Sequence, residues 1–163
     1  MITRITAGAF LTCGDKILLM HRGKHKKLGP GMWAGVGGHL ELCDVTDPRA
    51  INVIDACYRE IEEETGIPRT AIRGLALRYV AVRKVNNEIH HIYHHFGEVD
   101  TEISLPYCDE GILYWRNKCD ILNLPMATIV KESLRHWVEN PQSKGVYLVA
   151  VNSTDDAATI SEL

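Results

Sequence analysis

The segment that decides the fold reads Arg59-Glu60-Ile61-Glu62-Glu63-Glu64-Thr65-Gly66-Ile67. It predicts the last turns of a helix, because a glycine such as Gly66 is a favoured helix terminator. On that helix Glu60, Glu63 and Glu64 stand at positions i, i+3 and i+4 and therefore share one face. Three carboxylates on one face repel one another unless a cation lies between them. The cluster is therefore either a solvated acidic surface or a site for Mg²⁺ or Mn²⁺, which prefer oxygen ligands.

Upstream of this segment, Asp47-Pro48 predicts the start of the same helix, since aspartate caps helices and proline is tolerated in the first turn. Apolar residues with helical spacing follow this start, at Ile51, Ile54, Cys57, Tyr58 and Ile61. The glutamate face is thus predicted to lie opposite, or beside, a buried apolar face of one amphipathic helix.

The remaining chain predicts a mixture of strands and one further helix. Strands are predicted at residues 5–12, 16–20, 33–36, 72–85, 89–99, 111–115 and 145–151, with hairpin turns at Gly14-Asp15 and Asn86-Asn87, and a second helix at 127–138. This order predicts an α/β protein, an α/β/α sandwich around a mixed central sheet. We expect a single domain over residues 1–152 and a polar, loosely ordered C-terminal tail over residues 153–163.

The glutamate segment, with Gly37-Gly38 and the strand before them, resembles the Nudix box. In that motif a glycine is followed by a glutamate and then by Arg-Glu-apolar-any-Glu-Glu-any-Gly-apolar, and Arg59 to Ile67 match every fixed position of the latter half. The first half is longer than usual by roughly seven residues, about two helical turns. It contains two candidates for the first glutamate of the box: Asp44, which keeps the family's spacing from Gly38, and Glu41.

The resemblance implies a Nudix hydrolase with the α/β/α fold of that family and with Mg²⁺ or Mn²⁺ as cofactor. The implied metal ligands are Glu60, Glu63, Glu64 and the backbone carbonyl of Gly37. Arg59 would orient a carboxylate of the box, as a planar guanidinium does well. The catalytic base would be Glu63 or, from a later loop, Glu110, where some MutT-like members place an extra catalytic glutamate.

Four residues are expected to bind the substrate: Arg22, Trp33, His94 and Phe96. Arg22 stands at the end of a strand, in the basic loop of residues 21–30, and is placed to contact phosphate. His94 and Phe96 belong to the tract of residues 89–96, in which alternate side chains face opposite sides of a strand. The face that carries both is expected to line a pocket for a nucleobase. A zinc site in this tract is disfavoured, since no further Cys or His is suitably placed.

The leading substrate is a nucleoside triphosphate, which can be a modified one as in MutT-like members, cleaved to monophosphate and pyrophosphate. Ala34 stands where members that clean oxidised purine nucleotides often have an asparagine, which weakens that particular choice. An ADP-ribose or nucleotide-sugar pyrophosphatase is the alternative, although no proline stands near residue 82 as in such enzymes. A non-catalytic nucleotide-sensing module is the alternative of another class, and the complete set of box glutamates disfavours it.

Composition excludes several other classes of function. The net charge of −3 over 163 residues gives no basic face for long nucleic acid, and no stretch reaches the roughly 20 apolar residues of a membrane span. The five cysteines show no C-x-x-C spacing and predict reduced thiols in a cytoplasmic protein. The expected partner is a small-molecule nucleotide, and a homodimer is compatible with the sequence.

Overall fold

The structure, a computed structural model, describes residues 2–45 and 52–163. The described strands are β1 (Ile2–Cys13), β2 (Lys16–Arg22), β3 (Trp33–Ala34), β4 (Val36–His39), β5 (Arg73–Val85), β6 (Glu88–Glu98), β7 (Gly111–Asn117), β8 (Tyr147–Val151) and β9 (Ala158–Glu162). The described α-helices are α1 (Val53–Thr65) and α2 (Thr128–Glu139), and short 3₁₀ helices cover Leu42–Asp44, Arg69–Ala71 and Ile121–Asn123.

These strands form one mixed sheet. Its main order is β3-β2-β1-β6-β5-β8-β9, with β4 paired to β1 and β7 paired to β2. Strand β1 runs parallel to β6, and β5 runs parallel to β8, whereas β5 and β6 are antiparallel. Both predicted hairpins are present, β1–β2 and β5–β6. The turn of the second hairpin contains Asn86 with a φ of 55°, a conformation that asparagine tolerates better than most residues.

Two hydrophobic cores lie on opposite faces of the sheet, because successive side chains of a strand point to opposite sides. Ala9 and Leu11 of β1 pack in the core that contains Ile61 of α1. Phe10, between them in sequence, packs in the other core with Leu134 of α2. The helices therefore cover the two faces, and the predicted α/β/α sandwich with a mixed sheet is confirmed.

Helix α1 begins at Val53, with Asn52 as its N-cap residue. The predicted start at Asp47-Pro48 lies outside the described residues. The helix ends as predicted at Gly66, which has a φ of 73° and whose amide donates to the carbonyl of Glu62 at 2.9 Å. None of the described helices is long and apolar enough to cross a membrane.

The prediction of a loosely ordered C-terminal tail is wrong for residues 158–162. They form β9, which pairs antiparallel with β8 along its whole length. Ala158 and Ile160 of this strand also pack against the core on the α2 side. The sequence around them is too polar and too short to predict a strand by itself, whereas the open edge of β8 supplies the hydrogen-bond partners.

Candidate active site

Arg59 is the centre of the polar network at the C-terminal half of α1. Its Nη2 and Nε donate to Oδ2 and Oδ1 of Asp44 at 2.8 and 3.2 Å. Its Nη1 donates to Glu60 at 2.8 Å and to Glu63 at 3.1 Å, and Nη2 also reaches the carbonyl of His39 at 3.3 Å. One guanidinium thus fixes two glutamates of the helix relative to the end of β4, as its planar set of donors allows.

Of the two candidates for the first acidic residue of the motif, Asp44 makes the direct contacts. Its side chain is only 6% exposed, whereas that of Glu41 is 63% exposed and its carboxylate lies 4.0 Å from Arg59. The hydrogen bonds from Arg59 hold the pKa of Asp44 below its usual value. Asp44 therefore stays ionised and serves as the partner of Arg59.

Glu60 packs against the backbone of β4. Its side chain is 12% exposed, and burial raises the pKa of its carboxyl above the usual value. A Cβ atom on Gly38 would overlap the carboxylate of Glu60. Gly38 therefore leaves room for the present position of the Glu60 carboxylate, and an alanine there would make that side chain move.

Glu64 is the most buried carboxylate of the helix, with 7% exposure. The amide of Gly37 donates to its Oε2 at 2.8 Å. Gly37 has a φ of 141°, and a Cβ there would overlap the carbonyl of Ala7 on β1. Burial raises the pKa of Glu64 to about 8, so its negative charge is poorly compensated by the protein alone.

These groups and acidic residues of a later loop line a cavity of about 560 Å³, which we call the acidic cavity. Its acidic lining residues are Glu41, Glu60, Glu63, Glu64, Asp109 and Glu110. Within the described ranges no three Asp, Glu, His or Cys side chains already converge on one point. The contacts explain this, since Arg59 and the Gly37 amide each hold oxygens that a cation would compete for.

The residues present nevertheless fit a divalent metal. All charged donors are carboxylate oxygens, which suit Mg²⁺ or Mn²⁺ and not the softer metals that prefer sulfur. Two of them, Glu60 and Glu64, have raised pKa values because burial separates their charges from water. A nearby cation would lower both values again, so this set is chemically complementary to a metal ion.

A second cavity, of about 500 Å³, adjoins the acidic one. Four residues line both: Thr6, Arg22, Gly37 and His39. Its lining is largely apolar and includes Trp33 on β3 and Ile92 and His94 on β6. We call this second cavity the aromatic cavity. The ring of Trp33 is itself held by stacking on His21, at 4.9 Å between centroids.

His94 has a defined protonation state in this second cavity. Ser133 donates its hydroxyl proton to the carbonyl of Ile129 at 2.9 Å, so toward His94 its oxygen acts as an acceptor. The Nδ1–H of His94 therefore donates to Ser133 Oγ, 3.2 Å away. Burial lowers the pKa of His94 to about 3, so the ring is neutral and its Nε2 carries a lone pair.

Comparison with known proteins assigns this arrangement to a family. A sequence model described as the NUDIX domain matches residues 2–139. The chain belongs to the Nudix family. The predicted family and the predicted enzyme class, a Nudix hydrolase, are thereby confirmed.

Solved structures of other Nudix proteins share the fold. The MutT protein of Bacillus halodurans is 20% identical, with a TM-score of 0.66 over 98% of this chain and 97% of the other. The MutT protein of Methanosarcina mazei is 17% identical, with a TM-score of 0.68 over 87% of this chain and 97% of the other. An Ap4A hydrolase of C. elegans is 13% identical, with a TM-score of 0.62 over 85% and 96%.

The structure brings most predicted site residues of this Nudix protein together. Glu60, Glu63, Glu64, Gly37 and Glu110 line the acidic cavity, and Arg59 holds two of its carboxylates. Arg22 lies at the junction of the two cavities, and its Nε donates to the carbonyl of Leu28 at 3.1 Å. Trp33 and His94 line the second cavity.

Two predicted residues have surroundings that the sequence did not indicate. Glu110 forms an ion pair with Lys26 of the basic loop, so its carboxylate is shared between that lysine and the acidic cavity. Phe96 lies outside the second cavity, because Trp137 of α2 packs on its ring at 4.9 Å. It lines a separate cavity of about 770 Å³ beside Trp137.

Two residues at the cavities were not predicted, Arg83 and Asp156, which are charged surface residues in the sequence with no motif around them. For Lys26 the sequence left open a phosphate contact near the metal site or a solvated loop. Lys26 is brought to the acidic cavity by the loop after β2, and Arg83 and Asp156 to the aromatic one by β5 and the β8–β9 turn. Only the packing of these elements against one another reveals them.

Proposed function

We propose that this Nudix hydrolase cleaves the pyrophosphate bond of a nucleoside triphosphate, or of another nucleoside diphosphate linked to a further group, with a divalent metal. One observation carries the proposal: an acidic, oxygen-lined cavity and an aromatic cavity meet at Arg22, Gly37 and His39. A ligand that joins a flat ring to a phosphate chain matches this pair. The ring would enter the aromatic cavity while the phosphates reach the glutamates.

The residues of the site would have three roles: binding the metal, contacting phosphate and orienting the glutamates. Glu60, Glu63 and Glu64 would hold Mg²⁺ or Mn²⁺, which when bound offsets phosphate charge and makes water a better nucleophile. Arg22 would contact a phosphate where the two cavities join. Arg59, bound to Asp44, would keep the glutamates oriented when substrate arrives.

Hydrolysis needs a group that accepts a proton from water. The water oxygen forms a bond to phosphorus, the bridging phosphorus–oxygen bond breaks, and the two fragments leave with phosphate termini. Glu63 is our first choice for the acceptor, since its carboxylate is 58% exposed and so accessible to water, whereas Glu64 is buried against Gly37. Glu110, at the same cavity but paired with Lys26, is the second choice.

The aromatic cavity favours a nucleotide over a simple polyphosphate. Trp33 and Ile92 provide apolar area for a base, and the neutral His94 lies beside Ile92 in the same wall. A nucleoside triphosphate, modified or not, remains the leading substrate. Nucleotide sugars and ADP-ribose carry the same diphosphate and are therefore included in the test.

The test measures hydrolysis with Mg²⁺, by chromatography of the nucleotide products, for a panel of nucleoside triphosphates, modified triphosphates, ADP-ribose and dinucleoside polyphosphates. Glu63→Gln is expected to lower kcat about 100-fold or more, in the range of a lost acid–base group. Glu62→Gln removes the same charge from an exposed position of the same helix and should keep wild-type rates. Nucleotide binding without turnover by the wild type would refute the enzyme proposal. Full activity of Glu63→Gln with loss in Glu110→Gln would instead move the base to the later loop.

A further inference from the structure

The turn between β8 and β9, at the edge of the sheet opposite β3, reaches the aromatic cavity. This hairpin lies beyond residue 139, where the match to the Nudix domain ends. Asp156, in the turn, nevertheless lines the cavity together with Arg83 of β5 and Thr128 at the start of α2. The C-terminal hairpin is therefore part of the wall of the proposed nucleoside site.

The turn is held by its own hydrogen bonds, so Asp156 has a defined position. The amide of Asn152 donates to the carbonyl of Ala157 at 2.9 Å, and the amide of Asp156 donates to the carbonyl of Asn152 at 3.1 Å. The side chain of Asn152 accepts the amide of Thr154 at 3.0 Å. Asp156 itself has a φ of 55°, which aspartate, asparagine and glycine adopt most readily.

Asp156 and Arg83 form a pair of complementary groups at the end of the cavity. Arg83 Nη2 lies 3.6 Å from Oδ1 of Asp156, and the hydroxyl of Thr128 donates to Oδ2. The two side chains remain 36% and 54% exposed, so both can make further hydrogen bonds. An ionised carboxylate only accepts and a guanidinium only donates, so together they offer an acceptor beside a donor.

The position of this pair decides which part of a nucleotide it can contact. Gly37, at the acidic cavity, lies on β4, and Arg83 lies on β5, with β1 and β6 between them. Three strand spacings separate β4 from β5, about 14 Å, and the register places Arg83 four residues further along the strands than Gly37, about 13 Å. The pair is therefore too far from the glutamates to contact the phosphates, and only the nucleoside end of a ligand in the shared cavity can reach it.

We propose that Asp156 and Arg83 bind the polar edge of the nucleobase, so that the β8–β9 hairpin sets the base selectivity of the enzyme. The inference rests on the proposed function and adds its substrate class: nucleotides whose base has a hydrogen-bond donor next to an acceptor. Asp156 accepts from the donor and Arg83 donates to the acceptor. Bases whose edge carries only acceptors, such as unsubstituted purine, would leave the carboxylate without a partner.

Two variants of Asp156 keep the turn and change only the recognising group. Asparagine and glycine both tolerate the positive φ, so Asp156→Asn and Asp156→Gly should fold as the wild type does. Asp155 is the matched control, because it is an exposed neighbour whose carboxylate accepts from the amide of Ala157 in the same turn, at 3.1 Å. Asp155→Asn should leave base selectivity unchanged.

The measurement is kcat and KM for triphosphates of the four common bases and of unsubstituted purine. All four common bases have a donor next to an acceptor, so both Asp156 variants should lower the selectivity for these bases over unsubstituted purine about tenfold, the discrimination expected of one paired base contact, through KM with little change in kcat. The proposal is overturned if selectivity stays within about twofold of wild type, even where stability drops, because the carboxylate would then only close the turn.

Binding of non-hydrolysable analogues with the same bases, measured by calorimetry, separates this inference from the proposed function. If the wild type turns over no nucleotide, the proposed function fails, whereas the selectivity of binding still reports on Asp156. Loss of base selectivity in the Asp156 variants supports the inference in either assay. Equal binding of every analogue by wild type and variants refutes it.

Discussion

Arg59 and Asp44 are joined by two hydrogen bonds, from Nη2 to Oδ2 at 2.8 Å and from Nε to Oδ1 at 3.2 Å. Asp44 ends a short 3₁₀ helix, and Arg59 lies on α1, 15 residues later in sequence. The contact therefore fixes the segment after β4 to the helix that carries Glu60, Glu63 and Glu64. It also leaves Nη1 of Arg59 for Glu60 and Glu63.

We expect Asp44→Asn to lower the free energy of unfolding by about 2 kcal/mol, since it weakens nearly buried hydrogen bonds to a charged group. Glu41→Gln should change it by less than about 0.5 kcal/mol, because Glu41 is exposed and 4.0 Å from Arg59. Urea unfolding of both variants measures the difference. A larger effect of Glu41 would mean that Glu41, and not Asp44, is the acidic partner of Arg59.

Gly38→Ala should disturb the proposed metal site through Glu60, whose carboxylate a Cβ at this position would overlap. The affinity for Mn²⁺, measured by calorimetry, is expected to fall about tenfold or more, which corresponds to about 1.4 kcal/mol. The controls are the single variant Glu60→Gln and the double variant that combines Glu60→Gln with Gly38→Ala. If the alanine acts through Glu60, the double variant should bind Mn²⁺ no more weakly than Glu60→Gln, and additive losses would contradict this route.

Removal of divalent metal should make stability depend on the ionisation of Glu64. In the metal-free protein burial raises its pKa to about 8, against an ordinary value of 4.5 in the unfolded chain. Between these values the native state holds a proton that the unfolded chain has released. The free energy of unfolding should therefore fall as pH rises through this window, by up to about 1.4 kcal/mol per pH unit.

Thermal or urea unfolding in EDTA between pH 5 and 8 checks this expectation. Glu64→Gln should flatten the dependence, because the amide can still accept from Gly37 and does not titrate. Glu62→Gln, an exposed neighbour, should retain it. An unchanged slope in Glu64→Gln would show that another group titrates.

His94 should cause loss of stability in acid. Burial lowers its pKa to about 3 from the ordinary value of 6.5. Between these pH values the imidazole is protonated in the unfolded chain and neutral in the native protein. The free energy of unfolding should fall as pH decreases from 6.5 toward 3, by up to about 1.4 kcal/mol per pH unit. His94→Gln should make that slope shallower, although His95, whose pKa burial also lowers, keeps part of it.

Exposed His25 provides the control for this measurement. His25→Gln should leave the acid slope of the wild type in place. A wild-type slope in His94→Gln would contradict the assignment of a neutral, buried imidazole at the aromatic cavity.

The sequence predicted the elements of this fold well because each has a local pattern. Continuous apolar runs predict β1 and β2, helical spacing in α1 places apolar residues on one side, and Gly66 ends α1 where expected. The strand β9 was not predicted, because its five residues have little apolar pattern of their own and depend on pairing with β8. Phe96 was predicted to line the same pocket as His94 but lines a different cavity, since alternation gives the side of a strand but not what α2 covers.

By itself the sequence determined the family and the glutamates Glu60, Glu63 and Glu64, because the spacing of residues on one helix fixes which side chains share a face. Only the tertiary structure decided that Asp44 holds Arg59, that Gly37 and Gly38 meet Glu64 and Glu60, and that the aromatic cavity is closed by the hairpin carrying Asp156. These contacts join residues 15 to 73 positions apart in sequence, as from Asp44 to Arg59 and from Arg83 to Asp156. Their existence depends on how the sheet and helices pack, and no local pattern encodes it.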